Sequence, residues 1–93
     1  MDFKEALELA NNQENLIGKK YNGATLDEII IYPTNPQSFQ SFERKYIKSM
    51  NAQIAIAPYV NEDVRVGCVF DKSKIFSNGV FIYTDIDNLS DLE

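Results

Sequence analysis

At 93 residues the chain is long enough for one domain with one modest core, and its 44% hydrophobic and 25% charged residues are the proportions of an ordinary globular protein. A net charge of −5, from 14 acidic and nine basic residues, works against binding to a phosphate backbone, which needs clustered Lys and Arg. There is no histidine, so the commonest general base and the usual metal ligand are both missing.

The N-terminus, Met-Asp-Phe-Lys-Glu, lacks the basic start and apolar run of a signal peptide, and no apolar stretch approaches membrane-spanning length. Together with a single cysteine, Cys68, this leads us to expect a cytoplasmic protein without an internal disulfide.

Taken in order, Asp2 can cap a first helix over about Phe3 to Asn12, because Phe3, Ala6, Leu7 and Ala10 recur at helical spacing. Leu16, Ile17 and Gly18 suggest a short packed turn with a glycine stop, followed by a polar loop from Lys19 to Gly23 with Tyr21 at its centre. The Thr25 to Glu28 spacing would suit a helix start, yet Ile29-Ile30-Ile31-Tyr32 is a β-branched and aromatic run ending at Pro33, and we expect a strand inside a sheet. Asn35 followed by Pro36 then opens a second helix, whose Phe39, Phe42, Tyr46, Ile47 and Met50 share one face.

The stretch 52–60 is compatible with a continued helix or with an extended piece ending at Pro58. Val64, Val66, Cys68 and Phe70 alternate, which predicts a half-buried strand. Ser77-Asn78-Gly79 offers a type I′ turn that returns Ile75-Phe76 onto a last strand, Val80 to Ile86, expected in the sheet interior because it is apolar on both faces. Residues 87–93 are acidic and expected to fray. The whole is a single domain, 1–93, of the α+β class. Its expected architecture is two-layered: a small, mostly antiparallel sheet of three or four strands with two helices on one face, in the order α-β-α-β-β.

Few residues propose chemistry. Cys68 shares a strand face with valines and has no histidine to activate it, so it reads as a buried structural thiol. Gly18-Lys19-Lys20 lacks the glycine and the Ser or Thr of a phosphate loop, although Lys19, Lys20 and Tyr21 could contact an anionic ligand. Asp85, Asp87, Asp91 and Glu93 have the odd offsets of hard-cation ligands but not the glycine and twelfth-position Glu of a calcium loop, so no metal and no cofactor is expected. No stretch carries a family motif.

The aromatics Tyr21, Tyr32, Tyr46, Tyr59, Phe81 and Tyr83 exceed what a two-layer core of this size would hide, and tyrosine suits interfaces. The expected function is therefore that of a small acidic interaction protein, not an enzyme, of the inhibitor or immunity type. It would bind a basic protein partner or pair with itself, through the face opposite its helices or through a sheet edge. Asp85, Asp87, Asp91, Tyr83 and Tyr59 are the expected contact residues, and Asp63 and Asp71 would join the carboxylates if the surface imitated nucleic acid. Direct nucleic-acid or membrane binding is not expected. The alternative is a small-ligand or nucleotide-binding domain with Lys19, Lys20 and Tyr21 at a pocket beside the first helix.

Overall fold

The computed structural model describes residues 1–49, 51–72 and 82–86, with side chains of 82–84 left aside. Helix α1 spans Phe3–Asn12 and is capped as expected: the Asp2 carboxylate accepts the Glu5 amide at 2.8 Å, satisfying an N–H that a helix start otherwise leaves open. One 3-10 turn, Glu14–Leu16, follows, and the chain leaves it through Gly18 at φ +94°.

The expected loop at 19–23 is instead a hairpin. Strands β1 (Lys20–Tyr21) and β2 (Ala24–Pro33) are joined by Asn22 and Gly23, both at positive φ (51° and 83°), which is the two-residue turn whose twist matches that of paired strands. β2 therefore begins at Ala24 rather than at Ile29.

Helix α2, Pro36–Ser49, starts where the Asn-Pro pair predicts: the Asn35 side-chain oxygen accepts the amides of Gln37 and Ser38 at 3.0 and 3.2 Å. Asn35→Ala should cost about 1 kcal/mol in urea unfolding. A loss under about 0.3 kcal/mol would mean that Pro36 alone sets the helix start. The ambiguous stretch 52–60 resolves as helical. Asn51 caps α3 (Ala52–Ile56), which runs on into a 3-10 turn, Ala57–Tyr59. β3 covers Val64–Phe70 and β4 covers Ile82–Asp85. The turn expected at 77–79, the pairing of 75–76, Met50 and the acidic end 87–93 lie outside the described residues.

The sheet is antiparallel throughout, in the order β1-β2-β3-β4, so the excursion through α2 and α3 returns beside β2 without forming a parallel crossover. The α+β class, the antiparallel sheet and the order of elements are as expected. The distribution of helices is not, because the described helices are three and cover both faces. Alternation along β2 and β3 puts Glu28, Ile30, Tyr32 and Val69 on one face, where α2 lies. There the Tyr32 ring meets Phe39 edge-on at 5.6 Å, and the Tyr46 hydroxyl donates to Glu28. Ile29, Ile31, Val64, Val66, Cys68 and Phe70 occupy the other face, covered by α1 and by Leu16 of the 3-10 turn.

Two covered faces explain two departures. β3 is not half-buried: of its residues only Arg65 is exposed. β4 has β3 as its one strand neighbour among the described residues, and the strand expected to flank it, 75–76, lies outside them. The tyrosine surplus also shrinks, since Tyr32, Tyr46 and Tyr59 are all buried.

Candidate functional site: an apolar groove on an open strand edge

β1 pairs with β2 only at Ala24 and Thr25, and Leu26 exchanges backbone bonds with Gly18 and Lys19 at 2.8 and 2.9 Å. Beyond that point Ile29–Pro33 has β3 on one side and, among the described residues, no strand on the other. The Thr34 amide donates to the Asp63 carbonyl at 3.1 Å, continuing the ladder past the Pro33–Val64 pair. By the alternation of an antiparallel ladder, Tyr32 and Ile30 then turn their backbone groups toward β3, whereas Ile29, Ile31 and Pro33 turn theirs outward. Pro33 fits this position because it has no N–H to leave open. Among the described residues, Ile29 and Ile31 have no backbone partner on that outer side.

A groove of about 450 Å³ runs along this edge. One wall is α1, with Phe3, Leu7 and Ala10, and Ile17 stands at its end; the other is α3 and the turn after it, with Ala52, Ile56 and Val60. The α1 stripe is wider than the contact it makes. Ala6 is fully buried against the sheet, while Leu7 beside it is left 43% exposed toward the groove. Ile17 and Val60 are 45% and 37% exposed. The charged groups in the lining are Glu14 and Glu28.

The residues expected to form sites are scattered. Lys19 and Lys20 are exposed and Tyr21 stacks on Phe70 at 5.8 Å, but none of the three lines the groove between α1 and the sheet. Asp85 accepts from the Tyr32 hydroxyl and pairs with Arg65 at 3.2 Å. Asp63 pairs with the Met1 amino group at 2.8 Å and accepts from the Thr34 hydroxyl at 3.0 Å, two bonds that hold its carboxyl below the usual range. Asp71 accepts the Thr25 amide at 3.2 Å. Tyr59 is buried, with the Lys45 ammonium 5.2 Å from its ring centre. Asp87 and Asp91 lie outside the described residues, as does the Tyr83 side chain.

Two further features concern stability. Lys72 reaches Glu28 at 2.5 Å and lies over the Tyr46 ring, while burial, and then the bond to Glu28, drives the Tyr46 phenol far above its ordinary range. Cys68 is fully buried, and desolvation pushes its thiol up to about 11. Among the described residues no three Cys, Asp or Glu side chains converge as a metal site would require, and no helix is long and apolar enough to cross a membrane.

The groove escaped sequence reading because it belongs to no single segment. Its walls come from residues far apart in the chain, and its one local signal is the pair of exposed apolar positions Leu7 and Ile17 flanking a helix end. Fold and groove together define a small α+β protein with an apolar-flanked strand that is partly unpaired among the described residues. Comparison with family models, with curated proteins and with solved structures finds no match for the chain.

Proposed function

We propose that this chain is a non-enzymatic interaction protein that binds a macromolecular partner through the groove along β2. The supporting observation is the coincidence of a strand edge that is unpaired among the described residues, at Ile29 and Ile31, with mainly apolar walls on both sides of it. Unpaired edges template the addition of a further strand, and proteins usually cover or charge them. Here the cover is left incomplete, and Leu7, Ile17 and Val60 hold apolar surface in solvent. An acidic-mimic surface finds less support, since Asp63, Asp71 and Asp85 are each bound to groups of the same chain. Nothing in the geometry around Lys19, Lys20 and Tyr21 favours the nucleotide alternative.

A photoreactive phenylalanine analogue placed at Leu7, at Val60 and at Ile54 tests the site in cells of the native host. Ile54 is 61% exposed but does not line the groove, so it controls for general stickiness. One discrete adduct from the Leu7 and Val60 positions, missing at Ile54, is the expected result. Equal adducts from all three positions, or none, would remove the groove from consideration.

A further inference from the structure

Resting on that reading, we infer that the occupant of the groove is an extended peptide segment of another protein, added to β2 as a strand, apolar on both of its faces and flanked by basic residues. Ile29 and Ile31 present N–H and C=O groups at the repeat of an antiparallel ladder, which only an extended chain can match. A strand seated there would alternate its side chains between the α1 wall and the α3 wall, and both walls are mainly apolar, with Asn11 and Glu14 at the first and Gln53 on the second. The segment must therefore be apolar at successive positions, unlike an ordinary amphipathic strand.

Charge sets the flanks. Glu28 shares its charge with Lys72, but Glu14 stands in the lining with no basic residue among the described lining residues, and the chain carries −5 overall. Cationic flanks are drawn to such a site, and acidic ones are repelled. The same two facts speak against a second copy of this chain. Two copies would bring −5 against −5, and β2 has no side chain to spare for its partner's groove, because Ile30 is 1% and Ile31 8% exposed within their own core.

The test uses the full chain with a capped peptide of sequence Lys-Lys-Val-Tyr-Val-Phe-Val-Lys-Lys, and the same peptide with Glu in place of every Lys. Fluorescence anisotropy reads affinity, and NMR-detected hydrogen exchange reads the Ile29 and Ile31 amides. The expected result is binding of the basic peptide with both amides newly protected, weakened about ten-fold or more by Leu7→Lys or Val60→Lys and unaffected by Ile54→Lys. The Glu-flanked peptide should bind about ten-fold more weakly at low salt, with the difference shrinking as salt rises.

Equal binding of both peptides would overturn the charge assignment. Groove resonances that shift while the two amides keep exchanging would overturn strand addition yet leave the groove as an interaction site. No binding of either peptide would overturn the inference, whereas the crosslinking result decides the broader reading independently. Protection of both amides without peptide, rising with protein concentration beside a dimer mass, would assign the edge to a second copy instead.

Discussion

Phe42→Ala should lower the free energy of unfolding by about 3–5 kcal/mol, the largest loss expected from any single truncation here. Phe42 is fully buried on the inner face of α2, with its ring 6.0 Å from that of Tyr46 and 6.4 Å from that of Phe39. These rings join Ile30 and Val69 of the sheet in one buried cluster, so α2 is held to its face mainly by this stack. Truncation removes the transfer free energy of a ring and leaves a void that flat aromatic neighbours close poorly. A domain of this size is stable by only about 5–15 kcal/mol, and each kcal/mol moves the melting temperature by roughly 4–8 °C. Phe42→Ala should therefore melt tens of degrees lower, whereas Phe42→Leu should lose about half as much or less. Urea titration with fixed m-value checks it. A loss below about 1 kcal/mol would mean that α2 is not seated by this cluster.

The same residues show how far the sequence carries. Phe39, Phe42 and Tyr46 recur at helical spacing behind an Asn-Pro start, so α2 is legible from local chemistry alone, as is α1 behind Asp2. Sheet placement is not local. A run such as Ile29 to Tyr32 is apolar on both faces whether it sits between two strands or between two helical layers, and here it is the second case along its outer edge. That ambiguity put both helices on one face. The Asn-Gly signal at 22–23 was as plain as the one at 78–79, but Lys19 to Tyr21 is too short and polar to read as a strand. The surroundings of the carboxylates are hidden for a different reason. Asp63 and Asp85 find their partners across the fold, at Met1 and Thr34 and at Tyr32 and Arg65, and sequence distance hides such pairings.

Buried groups that must stay protonated make the fold sensitive to alkali, and stability should fall by about 2–3 kcal/mol between pH 9 and pH 11 through Cys68 alone. In the unfolded chain the thiol ionises near 9.0; in the fold, desolvation holds it protonated up to about 11. Between these values the native state binds more protons than the unfolded state, so unfolding releases a proton and the free energy of unfolding declines as pH rises. The contribution is fully present below pH 9 and gone above pH 11. Tyr46 acts with the same sign, since burial and the bond to Glu28 both oppose ionisation of its phenol. Urea titrations at pH 7, 9, 10 and 11 should show a steep slope in the parent chain and a shallower one in Cys68→Ala. Tyr46→Phe should flatten the remainder above pH 10. Slopes decide the matter rather than absolute stabilities, because each substitution also changes packing. A Cys68→Ala slope equal to that of the parent would mean that the thiol already meets water in the native state, and that the layer formed by Leu16, Tyr21, Ala24 and Ile86 over Leu26, Cys68 and Phe70 is open.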